Sequence, residues 1–151
     1  MKLAVALQER ADLNRKIESL NTRLSSNCLV QEGETPAEDP NTLLQELDEC
    51  VTRLIDLIAR INRTNCETRL DGRSITDLIA EKDGLKVQLS AYQSVIYEAS
   101  QTARRATHSE IRILSAVDVR QLQKKTDALS KRIRLLDNAL QECNWNTELL
   151  E

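Results

Sequence analysis

The sequence predicts an all-α fold, an antiparallel four-helix bundle with coiled-coil-like packing, as a single helical domain over residues 1–151. Leu, Ile and Val recur at alternating steps of three and four residues in four long segments. That spacing places them on one face of a helix, and the face needs a partner helix. Only three Gly and two Pro interrupt the chain, and 30% of its residues are charged. This composition is typical of helical bundles.

The first predicted helix runs from Lys2 to Asn27. We call the apolar line along a helix its seam, and this seam comprises Leu3, Ala6, Arg10, Leu13, Ile17, Leu20 and Leu24. After a loop, Asp39 followed by Pro40 has the pattern of a helix N-cap with proline in the first helical position. It predicts a second helix that ends near Cys66.

The second helix has a wide apolar face. Its predicted seam comprises Leu44, Leu47, Val51, Leu54, Ile58 and Ile61, and the next seam position is Asn65. Further apolar residues flank this seam, namely Leu43, Cys50, Ile55 and Leu57. We therefore expect this helix to be the most buried of the four.

The third helix is predicted to follow a turn at Asp71-Gly72, with Ser74 and Asp77 as a capping box. Its seam comprises Ile75, Leu78, Lys82, Leu85, Leu89, Tyr92, Ile96, Ala99 and Ala103. Gly84 lies inside this helix at a cost of about 1 kcal/mol relative to Ala. A close crossing by another helix would explain the glycine.

The fourth helix is predicted to begin after a cap at Ser115 or Asp118. Its seam comprises Val119, Leu122, Thr126, Leu129, Ile133, Leu136, Leu140 and Cys143. Before it, residues 110–113 alternate polar and apolar side chains, which is a short strand signal. This segment could pair with Leu29–Gln31 as a short β-ribbon.

Antiparallel packing predicts which connections share an end of the bundle. The acidic loop at 28–39 and the loop at 104–117 would lie at one end, and the turn at 62–74 and the tail from Cys143 at the other. At the first end the acidic loop would face Arg104, Arg105, His108 and Arg112.

The second end holds the candidate ligand site. Asn62, Asn65 and Arg69 form one helical stripe, and amides and guanidinium groups bind carboxylates and phosphates well. The candidate binding residues for a small anionic ligand are Asn62, Arg63, Asn65, Arg69, Arg73 and Trp145. In the alternative interpretation, Asn65 is a register-setting buried amide and the others cap the helix or face solvent.

Other site types have weaker signals. The cysteines form no C-x-x-C pair and His108 is the only histidine, so we expect no metal site, no cofactor and no catalytic residues. A basic stripe at Arg120, Lys124, Lys131 and Arg134 lacks interleaved aromatic residues. The net charge of the whole chain is −3. The stripe therefore predicts a solvated face and no nucleic-acid binding.

Membrane association is not expected either. No apolar run approaches the ~18 residues that cross a bilayer, and the apolar start Leu3–Leu7 is too short for a secretion signal. We expect a cytoplasmic protein whose thiols are reduced.

Several runs resemble an uncharacterised bacterial family known as septicolysin-like. They are Val30–Glu34, Pro36–Pro40, Ile61–Asn65, Thr68–Leu70, Asp71–Arg73, Val117–Val119 and Asn144–Trp145. The resemblance implies a small, mostly helical bacterial protein and brings no active-site residues. Its name suggests a cytolysin.

Three functions are therefore open. The first is a non-enzymatic structural or interaction protein that assembles into a homo-oligomer, a dimer or higher, because its apolar faces are wide. The second is a module that binds a small anionic ligand at the 62–73 end. The third is a membrane-active protein, as the family name suggests.

Overall fold

The computed structural model describes residues 1–102 and 111–151, which form four helices and one two-stranded sheet. The helices are α1 (Leu3–Asn27), α2 (Pro40–Glu67), α3 (Ile75–Ala99) and α4 (Val119–Asn146), and the strands are β1 (Arg69–Leu70) and β2 (Arg73–Ser74). The predicted all-α, four-helix fold is confirmed. The chain divides into two compact units, one of Met1–Leu70 with Cys143–Glu151 and one of Asp71–Glu142. The single helical domain stays a prediction.

The predicted starts of α2, α3 and α4 are confirmed by their capping bonds. Asp39 accepts a hydrogen bond from the Asn41 N–H. The Ser74 hydroxyl accepts the Asp77 N–H while the Asp77 carboxylate accepts the Ser74 N–H. Asp118 accepts the Gln121 N–H at 2.9 Å, so the cap of α4 is Asp118, not Ser115.

In the first unit, α1 and α2 are antiparallel. Lys16 pairs with Glu46 at 2.8 Å and Glu9 with Arg53 at 2.7 Å, so residue numbers fall along one helix as they rise along the other. The core between the helices contains Leu20, Leu43 and Cys50, with Leu13, Ile17, Leu24 and Leu47 packed against them. The predicted seam of α1 is confirmed, because each of its residues is buried or partly buried.

The predicted seam of α2 is wrong at every second position. The positions that face the core are Leu43, Leu47, Cys50, Leu54, Leu57, Ile61 and Thr64. Leu44 is 47% exposed, and Val51 and Ile58 are each 37% exposed. The predicted series and the observed series share Leu47, Leu54 and Ile61. At every other position the observed core residue comes one residue before the predicted one. Because both series are apolar, spacing alone does not distinguish them.

In the second unit, ion pairs join α3 to α4. Lys82 pairs with Asp137 at 2.9 Å, and Glu81 of α3 pairs with Arg132 of α4. Within the described residues, every predicted seam position of both helices is buried or partly buried. Helix α3 ends at Ala99, and the predicted seam position Ala103 lies outside the described residues.

The structure corrects two smaller predictions. A Cβ built on Gly84 would meet no atom within 4 Å in the described part of the chain, so no close helix crossing explains this glycine. Neither Leu29–Gln31 nor residues 111–113 form a strand. The two-stranded sheet lies instead at 69–74, around the predicted turn, where Asp71 and Gly72 both have positive φ. Predicted contacts of Arg104, Arg105 and His108 lie outside the described residues.

Candidate functional site

The C-terminal tail of the first unit lies along the start of α1. Lys2 and Glu148 form an antiparallel β-bridge. The Leu3 N–H donates to the Thr147 carbonyl at 2.9 Å, and the Leu149 N–H donates to the Met1 carbonyl at 2.8 Å. These backbone bonds join segments that are almost the whole chain apart in sequence.

The same tail is bound by the last turns of α2. The Leu150 N–H donates to the Thr64 hydroxyl oxygen at 3.0 Å, and the Arg60 Nε donates to the Leu150 carbonyl at 3.0 Å. Arg63 donates to a main-chain oxygen of Glu151. We call this three-segment contact the terminal junction; it comprises Met1–Leu3, Arg60–Thr64 and Thr147–Glu151. It confirms that the tail and the end of α2 share one end of the unit.

Charge also contributes to the terminal junction. Glu148 lies 2.8 Å from the Lys2 ammonium and 3.1 Å from the Met1 amino group. Its hydrogen bond to Lys2, followed by the one to the Met1 amino group, lowers the pKa of Glu148 below its ordinary value. Because these groups are exposed, the ion pairs orient the tail more than they stabilise it.

The structure places five of the six predicted ligand-site residues in the first unit. Asn62, Arg63 and Asn65 lie on the last turns of α2, and Arg69 follows in β1. The side chains of Asn62 and Arg69 are exposed and have no hydrogen-bond partner among the described residues. Trp145 is 57% exposed.

Arg73, the sixth predicted site residue, belongs to the second unit and is engaged there. Its Nη1 lies 2.5 Å from Glu81, which also pairs with Arg132. The hydrogen bond from Arg73, followed by that from Arg132, lowers the pKa of Glu81. This three-residue group, Arg73–Glu81–Arg132, joins β2, α3 and α4. Because its three charged side chains bind one another, this group has the character of a structural ion-pair network. The six-residue ligand site stays a prediction.

The residues that could hold a metal are dispersed. Within 1–102 and 111–151, no group of three His, Cys, Asp or Glu side chains is placed to bind a metal ion. Cys50 packs in the α1–α2 core beside Leu20 and Leu43, so this thiol acts as a small hydrophobe. In the same ranges, no helix has the length and apolar character needed to cross a membrane.

Sequence reasoning missed an exposed apolar line on α2, which we call the outer stripe. It comprises Leu44, Val51, Ile55 and Ile58, and Ile55 is the most exposed of them at 65%. Leu44, Val51 and Ile58 each follow a seam residue by one position, which is about 100° around the helix. The sequence signal for this stripe is the width of the apolar face of α2, which by itself predicts only deeper burial.

Comparison with known proteins gives one close structural match. The chain superimposes on a crystal structure of a functionally unknown conserved protein from Corynebacterium diphtheriae with a TM-score of 0.93. The two chains are 38% identical, and the match covers 99% of each. A search of curated proteins finds no match.

A family model described as a family of unknown function, DUF6847, matches residues 10–149, which is nearly the whole chain. The resemblance to septicolysin-like proteins, and any membrane activity which that name implies, stays a prediction. By the extent of the family match, the chain belongs to the DUF6847 family.

Proposed function

We propose that this protein is a non-enzymatic interaction protein that self-associates through α2. The observation that carries the proposal is the outer stripe, in which four large aliphatic side chains are exposed along one line of a 28-residue helix. An exposed line of large apolar side chains is typical of an interaction surface. A partner helix would bury it.

The energetics favour a partner. Fully burying one Leu, Val or Ile side chain contributes about 1.5–3 kcal/mol. The stripe spans 15 residues from Leu44 to Ile58, or roughly 22 Å of helix. It lies beside the seam that packs on α1, so a partner could cover it while α1 keeps its contacts.

Charged side chains in both units support the non-enzymatic part of the proposal. Lys16 and Glu46 join α1 to α2, and Lys82 and Asp137 join α3 to α4. These groups are oriented by each other, which is the arrangement of a structural contact.

Light scattering coupled to size-exclusion chromatography tests self-association. We expect the wild type to elute with a mass above one chain, and Ile55→Lys to reduce that mass to one chain. Val87→Lys is the matched control, because Val87 is an exposed aliphatic residue on α3, outside the stripe. A wild-type mass of one chain across the accessible concentration range would exclude the proposal.

A second candidate function is binding of a small anion at the end of α2. It is favoured by the two exposed side chains there, Asn62 and Arg69, that have no partner among the described residues. A guanidinium and an amide group near the end of α2 suit a carboxylate or phosphate. The alternative interpretation, solvated surface, predicts no ligand.

A thermal-shift screen with inorganic phosphate and simple dicarboxylates tests the second candidate. We expect a hit to raise the melting temperature of the wild type and of Arg15→Ala, a control on the exposed face of α1. The same compound should leave the melting temperature of Arg69→Ala unchanged. An equal shift in all three proteins would place the anion elsewhere.

A further inference from the structure

We infer that the outer stripe pairs with the outer stripe of a second copy in antiparallel orientation about a two-fold axis. This inference rests on the proposed self-association and adds its partner and its orientation. It follows from the polar residues that lie on the line of the stripe.

The line of the stripe carries a different polar residue near each end. Asp48 interrupts the apolar residues after Leu44, and Asn62 is the next position on the line after Ile58. Asp48 is exposed and has no ion pair within the described residues. The stripe therefore carries a carboxylate near its start and an amide, beside the Arg63 guanidinium, near its end.

A parallel pair would place Asp48 against Asp48 of the second copy. Two carboxylates brought together in a partly desolvated helix interface repel one another, and neither gains a donor. Parallel pairing is therefore disfavoured at this position.

An antiparallel pair places the carboxylate end of one stripe beside the amide end of the other. With Val51 opposite Ile55 of the second copy, Leu44 lies opposite Asn62, and Asp48 lies within one turn of that amide. Amide N–H groups and guanidinium groups donate to carboxylates, so the polar residues become partners. One stripe supplies both the acceptor and the donors, and this is why the occupant is a second copy.

The border of the stripe on the side away from α1 is compatible with this arrangement. Gln45, Thr52 and Ala59 lie along it at steps of seven, and none of them is charged. No like charges would therefore meet across the axis at these positions. An open recess of about 490 Å³ lies on this side of α2, lined by Gln45, Asp48, Glu49, Thr52, Arg53 and Asp56.

Disulfide mapping of the full-length protein tests the orientation. Thr52→Cys, Gln45→Cys and Ala59→Cys are each made in a background where the exposed Cys28 and Cys66 are replaced by Ser. In the antiparallel pair, Thr52 lies near the axis, so Thr52→Cys should form a disulfide-linked dimer alone. Gln45→Cys and Ala59→Cys should not do so singly, but their mixture should form the mixed dimer.

The other outcomes are distinguishable. If each of the three variants forms its own dimer, the pair is parallel and the inference is overturned. If light scattering shows a dimer but no variant or mixture forms a disulfide, the interface lies on another face and the inference also fails. If the wild type is a monomer, the proposed function fails first. All three substituted side chains are exposed, and circular dichroism will verify that each variant keeps its helices.

Discussion

At the scale of single residues, Thr64 links α2 to the chain terminus. It is fully buried, its hydroxyl donates to the Arg60 carbonyl at 2.8 Å, and it accepts the Leu150 N–H at 3.0 Å. Thr126 in the second unit is similar in burial and in its donation to the Leu122 carbonyl at 2.9 Å. Only Thr64 also accepts a long-range hydrogen bond, so comparing the two threonines isolates the contribution of that bond.

Thr64→Val should lower the free energy of unfolding by about 1–3 kcal/mol, because the Leu150 N–H loses its acceptor. Thr126→Val, the matched control, removes only a local bond to the preceding turn and should cost less. Urea unfolding followed by circular dichroism measures both. Equal losses would show that the bond from Leu150 contributes nothing to stability.

A second residue-scale prediction concerns Gly84, which lies in α3 without a close neighbour. Gly84→Ala should stabilise the protein by roughly 0.5–1 kcal/mol, because Ala has the higher helix propensity and its Cβ meets open space. Gly72→Ala should destabilise it, since Gly72 has a φ of +81° in the turn. Thermal and urea unfolding measure whether each variant is stabilised or destabilised. A destabilised Gly84→Ala would reveal a contact on that side of α3.

At the scale of elements, the helix boundaries followed from the sequence because caps are local. Asp39 with Pro40, Ser74 with Asp77, and Asp118 each satisfy N–H groups within three residues. Such bonds need no knowledge of the rest of the chain. The face of α2 that packs on α1 is different, because either of two adjacent apolar series could serve.

Alanine substitution distinguishes the two series on α2. Leu57→Ala should lower the free energy of unfolding by about 2–5 kcal/mol, since Leu57 is fully buried. Leu44→Ala, the matched control on the outer stripe, should cost much less in dilute protein, where the stripe has no partner. A larger loss for Leu44→Ala would favour the seam that the sequence alone predicted.

The contact between α3 and α4 should weaken in acid. The pKa of Glu81 is lowered first by Arg73 and then by Arg132, so the unfolded chain binds a proton on this carboxyl at a pH where the folded protein does not. Its stabilising contribution is therefore complete above the unfolded pKa of about 4.3 and is lost as pH falls through the lower folded value.

Glu81→Gln should accordingly lose less stability than the wild type between about pH 5 and pH 3, across the ordinary Glu pKa. Urea midpoints at several pH values measure this. Glu98→Gln, an exposed α3 residue with no ion pair in the described ranges, should retain the wild-type pH dependence. Parallel acid profiles for wild type and Glu81→Gln would contradict the assigned role.

At the scale of the whole molecule, self-association couples stability to concentration. A protein whose folded form binds a second copy has a melting temperature that rises with protein concentration. We expect this rise for the wild type and for the control variant Val87→Lys in scanning calorimetry, and its absence for Ile55→Lys. A 100-fold rise in protein concentration should stabilise an obligate pair by about 2.7 kcal/mol through mass action. A wild-type melting temperature that stays constant over that range would argue against an obligate pair.

The sequence predicted one part of the candidate site, and other parts depend on contacts between residues far apart in the chain. Sequence reasoning correctly placed the tail from Cys143 at the end of α2, because antiparallel order requires it. It did not identify Thr64, since a threonine in a helical seam has no distinctive spacing. It also grouped Arg73 with the other polar residues, whereas the structure pairs Arg73 with Glu81.

The sequence by itself determined the four helices, the caps of α2, α3 and α4, the Asp71-Gly72 turn and the seams of α1, α3 and α4. These features depend on contacts within one turn or on a single apolar period. Only the tertiary structure decided which face of α2 is buried and how residues 147–151 bind Met1, Leu3 and Thr64. The reason is physical: a wide apolar face has several equally apolar packing registers, and the geometry of its partner chooses among them.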